Sequence, residues 1–123
     1  MAKKALVVDD SVTMRKMVTM SLEQNGFEVV SAENGVDALN KANSPIDVMV
    51  VDINMPEMDG ITLIRKLREK PTYAKTPILV LTTEGGEDTK QAGREAGANG
   101  WLVKPFNPEV LIKAINKVCG SAA

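Results

Sequence analysis

Short apolar runs alternate with amphipathic stretches along the whole chain. The runs are Ala5–Val8, Phe27–Val30, Ile46–Val51, Ile78–Leu81 and Trp101–Val103. They are continuous, where a half-exposed strand would alternate, and that is the pattern of parallel strands covered on both faces. Between them, apolar positions recur at helical spacing: Met14, Met17, Val18 and Leu22, then Ala38, Leu39 and Ala42, then Ile61, Ile64 and Leu67, then Leu111, Ala114, Ile115 and Val118. The stretch from Asp88 to Ala98 offers only alanines, with Gly93 and Gly97 beside them, and predicts a thinly packed, mobile helix. The tail, Gly120 to Ala123, is expected to fray. The order is βα five times over. Right-handed crossovers make this an α/β fold, a five-stranded parallel sheet with helices on both faces.

Composition narrows the picture. A length of 123 residues suits one domain, 1–123, built on one core. Hydrophobic residues at 44% and charged residues at 25% are ordinary for a soluble globular protein. A net charge of -1 gives no bulk attraction to nucleic acid. The apolar runs fall far short of a membrane span, and the N-terminal one is too short for a signal-peptide core, so the cytoplasm is the expected location. Cys119 is the single cysteine, which excludes an intrachain disulfide, and its place near a helix end suggests an inert thiol. The chain has no histidine, which excludes Ser-His-Asp and Cys-His nucleophilic sites and histidine-bound zinc. Any chemistry must run on carboxylates, hydroxyls, lysine and a metal ion.

The polar residues that follow the strands are the informative ones. Strand 1 runs into Asp9-Asp10, strand 3 into Asp52, strand 4 into Thr82-Thr83-Glu84, and strand 5 into Lys104-Pro105. Strand 2 ends near Ser31-Ala-Glu33 and offers nothing comparable, as suits a sheet edge. Taken singly, each residue has an ordinary explanation: an Asp after a strand is usually a cap or turn residue, and a Lys is usually a solvated charge. Together they lie at the carboxyl end of one sheet, where open α/β folds bind ligands. Three carboxylates held close would repel one another, and a hard divalent cation would relieve this. Oxygen ligands in small number favour Mg²⁺ over Ca²⁺. A carboxylate beside Mg²⁺ and a lysine is suited to phosphoryl transfer.

The set Asp9-Asp10, "DINMPEMDG" (52–60), "LTTE" (81–84) and "GWLVKPF" (100–106) resembles the receiver domain of two-component response regulators. "DDSVTMRKM", "GVDALNKA" and "KPFNPEVL" are most similar to single-domain chemotaxis regulators of the CheY type. The resemblance covers essentially the whole chain and implies the flavodoxin-like, CheY-like (βα)5 arrangement. It implies that Asp52 accepts a phosphoryl group from a histidine kinase. Asp10, Asp52 and the backbone carbonyl of Asn54 would hold one Mg²⁺ directly, with Asp9 acting through water. Lys104 would pair with a phosphoryl oxygen, and Thr82 would donate its hydroxyl to another. The Lys104–Pro105 bond is expected to be cis. As the switch, Thr82 would move towards the phosphoryl group and the strand-5 aromatic residue would turn inward. That residue is Trp101, where chemotaxis regulators often carry tyrosine; simple core filling is the plain alternative. Asn54 and Glu84 would tune how fast water removes the phosphoryl group. Lys90, Arg94 and Trp101 are the candidates for a partner-binding face around helix 4, strand 5 and helix 5, although Lys90 and Arg94 could equally be solvated charges.

The implied activity is that of a monomeric switch that catalyses its own phosphorylation and dephosphorylation, with no conventional substrate turnover. The implied partners are a histidine kinase and the flagellar motor switch, with room for a phosphatase; neither nucleic acid nor a membrane is expected. The alternative is a stand-alone receiver serving as a phosphorelay shuttle or phosphate sink. A haloacid-dehalogenase-type phosphatase would need an Asp two residues after the nucleophile, where this chain has Asn54. A flavodoxin-type flavin binder would need a glycine- and hydroxyl-rich phosphate loop where this chain has "DDSVTMR".

Overall fold

The computed structural model describes residues 3–53, 55, 58–83, 86–104 and 106–121. Among them, β1 (Lys3–Val8), β2 (Phe27–Ala32), β3 (Val48–Asp52), β4 (Ile78–Thr82) and β5 (Gly100–Val103) form one sheet in the order β2-β1-β3-β4-β5. Every pairing is parallel. The helices are α1 (Val12–Gln24), α2 (Gly35–Lys41), α3 (Gly60–Arg68), α4 (Glu87–Ala96) and α5 (Pro108–Ser121), with a 3-10 turn at Pro71–Tyr73. The expected α/β architecture is therefore present, with β2 at the edge.

The reason the apolar runs are continuous is visible in the packing. Successive residues of a strand face opposite sides. Ala5 and Val7, Val48 and Val50, and Leu79 and Leu81 pack with Val18, Leu22, Leu111, Ile115 and Val118 of α1 and α5. Leu6 and Val8, Met49 and Val51, and Ile78 and Val80 pack with Ala38, Leu63, Ile64, Leu67 and Ala96 of α2, α3 and α4. All five residues of β3 and of β4 are buried.

Caps set where the helices begin. Ser11 accepts from Met14 N–H, Asn34 from Asp37 N–H, Asp59 from Thr62 N–H and Asn107 from Val110 N–H. Among the described residues, α4 alone has an N-cap, Gly86, that offers no side-chain acceptor. Two local readings need correction. α5 continues past Gly120 through Ser121, and the rest of the expected frayed tail lies outside the described residues. The short turn at Pro71–Tyr73 is absent from the sequence reading, yet it buries Tyr73, whose hydroxyl donates to the Ser44 carbonyl.

Candidate functional site

The parallel register brings the polar strand ends to one mouth. Asp9 follows β1, Asp52 ends β3, Thr82 ends β4 and Lys104 follows β5. Asp9, Asp52 and Thr82 are buried, while Asp10 is exposed. One carboxylate oxygen from each of Asp9, Asp10 and Asp52 lies within 4.8 Å of the other two. β5 is an edge strand, but the long stem of Lys104 carries its ammonium past the end of β4 to the acids. Lys104 Nζ sits 3.2 Å from Asp9 Oδ2 and 3.4 Å from Asp52 Oδ2.

This geometry refines the expectation that three carboxylates would simply repel. Lys104 lies between two of them and offsets their charge. Asp10 alone stands towards solvent. The oxygens at the mouth are hard donors on one buried and one exposed side, an arrangement that fits a small divalent cation retaining several waters. The donor chemistry and the spacing fit Mg²⁺.

The scaffold that fixes these groups includes residues that the sequence reading missed. The backbone N–H of Ser11 donates to Asp9 Oδ1 at 2.9 Å, and Arg15 Nη1 donates to the Asp9 carbonyl at 2.7 Å. Asp9 N–H in turn donates to the Ala32 carbonyl at the end of β2. Asp9 is thus held on three sides before any ligand arrives. Nothing in the sequence marks Arg15 for this, since it lies one turn into α1 and reads as a surface charge. Beyond Asp52, the chain turns back sharply: Gly60 N–H donates to the Ile53 carbonyl, and a Cβ at Gly60 would lie 2.6 Å from the Asp52 carbonyl oxygen. Only glycine lets α3 start so close to the site. Asn54, Glu84 and Pro105 lie outside the described residues. The expected carbonyl ligand, the pair expected to tune phosphoryl loss and the cis Lys104–Pro105 bond therefore lie outside them too.

The second group of candidates meets on the α4–β5 side. Lys90, Arg94 and Trp101 line one hollow of about 260 Å³, together with Asn99 and Lys117. Trp101 pairs with Val80 and Val103 with Thr82 across β4 and β5. Trp101 and Thr82 accordingly project to the same side of the sheet, one strand apart and two positions offset. The indole is half-buried against the core shared by α2, α3 and α4.

Fold and mouth together define an acidic site at the carboxyl end of a doubly wound parallel sheet. The chain belongs to the response regulator receiver domain family, whose model matches residues 5–116. Within it, the chain is similar to single-domain chemotaxis regulators. It is 43% identical to the chemotaxis protein CheY1 of Helicobacter pylori, over 96% of this chain and 98% of that one. It is 42% identical to the chemotaxis protein CheY homolog of Campylobacter jejuni, over 98% and 95%. The solved chemotaxis response regulator CheY4 of Vibrio cholerae superposes with a TM-score of 0.92 at 46% identity, covering 96% of this chain and 99% of that one. No helix among the described residues is long and apolar enough to cross a membrane.

Proposed function

We propose that residues 1–123 act as one stand-alone, monomeric receiver in the cytoplasm, a phosphorylation switch whose output controls the flagellar motor switch in chemotaxis. The observation that carries this reading is the mouth itself: Asp9, Asp10 and Asp52 gathered within 4.8 Å, with Lys104 reaching the two buried ones. Asp52 is the acceptor. Its carboxylate oxygen attacks the phosphorus of a phosphohistidine on the kinase; a P–O bond forms, the P–N bond breaks, and the imidazole leaves with the electron pair. Lys104 then exchanges its contact with Asp52 for one with a phosphoryl oxygen, and the Thr82 hydroxyl donates to another. Water later adds to phosphorus, and the acyl phosphate releases Asp52 as the free carboxylate, with or without a phosphatase. Asn54 and Glu84 set the rate of that loss. Asp10, Asp52 and the Asn54 carbonyl would hold Mg²⁺ directly, with Asp9 acting through water, and the ion would supply neutralising charge for the incoming phosphoryl group.

Asp52→Asn tests the assignment. It is expected to abolish phosphoryl uptake from a phosphohistidine donor while leaving the fold intact or slightly stabilised, because one of three clustered charges is gone. Uptake at residue 52 in that variant is chemically impossible, so label recovered at another residue would overturn the acceptor. Mg²⁺ is expected to stabilise the wild type by about 1.4 kcal/mol at ten times its dissociation constant. A melting temperature unmoved by saturating Mg²⁺ would remove the metal from the scheme. The output is tested by titrating a motor-switch peptide into the protein with Mg²⁺ and beryllofluoride. Tighter binding after activation supports the motor reading. Activation without peptide binding favours the phosphorelay shuttle.

A further inference from the structure

We propose that Gly93 is a positioning residue: it forms the seat for the Trp101 ring and sets how much of the time that ring lies inward. The six-membered ring of the indole packs directly against this glycine. A Cβ built on Gly93 would lie 2.4 Å from Trp101 Cζ3, 3.3 Å from Cε3 and 3.4 Å from Cη2. The six-membered edge of the indole therefore occupies the space that any side chain at 93 would need. The obstacle is a rigid ring, and it cannot yield as the end of a flexible chain would.

The helix itself gives no other reason for this glycine. Gly inside a helix is less favourable than Ala. Gly93 lies in the interior of α4, a helix that buries only Gly93 and Ala96 and has no side-chain cap at its start. A residue that weakens an already thin helix has its explanation in what it admits.

The seated ring is also held in balance. Its apolar edge is packed, but the indole Nε1 is buried and has no hydrogen-bond acceptor among the described residues. Such a donor favours leaving the seat, where water or an acceptor can reach it. Packing at Gly93 and the unpaired N–H thus act in opposite directions on one ring, next to the hollow lined by Lys90 and Arg94. One methyl group at position 93 is enough to tip such a balance outward. The functional consequence rests on the reading of Trp101 as part of the output switch, since displacing the ring changes what the α4–β5 face presents before Asp52 is ever phosphorylated.

The test uses the full chain and its single tryptophan. Gly93→Ala is expected to shift Trp101 emission to the red and to raise its quenching by acrylamide, with far-ultraviolet circular dichroism unchanged. The shift on adding Mg²⁺ and beryllofluoride is expected to shrink. In a Trp101→Ala background, monitored by circular dichroism, the same Gly93→Ala change is expected to raise the melting temperature, because the ring is gone and alanine is the better helix residue. With Trp101 present it is expected to lower it. If Gly93→Ala folds only when Trp101 is absent, the seat is supported; if it fails to fold in either background, the seat is refuted. Unchanged emission and quenching in a folded Gly93→Ala protein would also refute it. A wild type whose emission ignores beryllofluoride, beside a Gly93→Ala variant whose resting emission is shifted, would keep the seat and discard the switch reading of Trp101.

Discussion

α3 and α4 lie side by side on one face of the sheet, with 9 and 10 residues, and they are held in different ways. α3 starts on the Asp59 cap, follows the tight Gly60–Ile53 turn, and buries Leu63, Ile64 and Leu67. Its own apolar face fixes it. α4 starts at Gly86 with no side-chain cap and has no large buried apolar residue among those it buries. What fixes α4 is at its far end. Arg68, at the end of α3, donates to the Gly97 carbonyl at the end of α4 through Nη2 at 2.6 Å and Nε at 3.2 Å, to Asn99 Oδ1 and to the Tyr73 carbonyl. Asn99 Oδ1 also accepts from Ile78 N–H at the start of β4. Partial burial pushes the Arg68 guanidinium down from its usual value. α4 is thus pinned at its C-terminal end by the Arg68 clamp, while its N-cap, Gly86, supplies no side-chain cap.

The largest way to break this asymmetry is to remove the clamp. Arg68→Ala leaves the carbonyls of Gly97 and Tyr73 without their charged donor and is expected to cost about 2–3 kcal/mol in denaturant unfolding. Arg68→Lys keeps the charge but loses the fork that serves two carbonyls and an amide, and is expected to recover less than half of that. Hydrogen exchange gives the sharper reading: amides of α4 should lose protection far more than those of α3. Equal loss in both helices would mean that α4 does not depend on Arg68 in particular.

Lys104 is the link between the two sides of the mouth. Its backbone N–H donates to the Thr82 carbonyl at 2.7 Å, and its ammonium reaches Asp9 and Asp52. Lys104→Met leaves two buried carboxylates facing each other. A fully buried pair broken in this way costs more, but the Lys104 side chain is 13% exposed, and a loss of about 1–2 kcal/mol in metal-free buffer is expected. Saturating Mg²⁺ should return much of it. A Lys104→Met protein as stable without metal as the wild type would show that the ammonium offsets none of the acids' repulsion.

The sequence made the sheet and its mouth legible, and the reasons are local. Continuous apolar runs such as Val48–Val51 declare a strand covered twice, and Asp9, Asp52, Thr82 and Lys104 follow their strands directly. The thinness of α4 was equally readable from its alanines. The clamp was not. Arg68 stands in the last turn of a helix, where a basic residue ordinarily faces solvent and the helix dipole, and its main acceptor comes 29 residues later. Gly93 and Trp101 belong to different elements, and their contact depends on the packing of α4 across β5, which no periodicity encodes. Lys104 was read towards a phosphoryl oxygen, and its pairing with Asp9 and Asp52 emerges only when β1, β3 and β5 are in register.

The smallest effect probes the start of α4 directly. Glycine is a tolerable N-cap, within a few tenths of a kcal/mol of serine, so Gly86→Ser should change global stability by no more than about that amount. It would nevertheless give α4 the bond that the other four helices have: a hydroxyl accepting from an N–H of the first turn. A Cβ at 86 meets nothing within 4 Å, so the change introduces no clash. The expected result is a nearly unchanged unfolding midpoint with slower hydrogen exchange confined to the first turn of α4. If that end must shift when Asp52 is modified, the added bond opposes the shift, and the beryllofluoride response should fall slightly. A response identical to the wild type, in a variant whose first turn is measurably protected, would mean that the uncapped start of α4 is not where the movement begins.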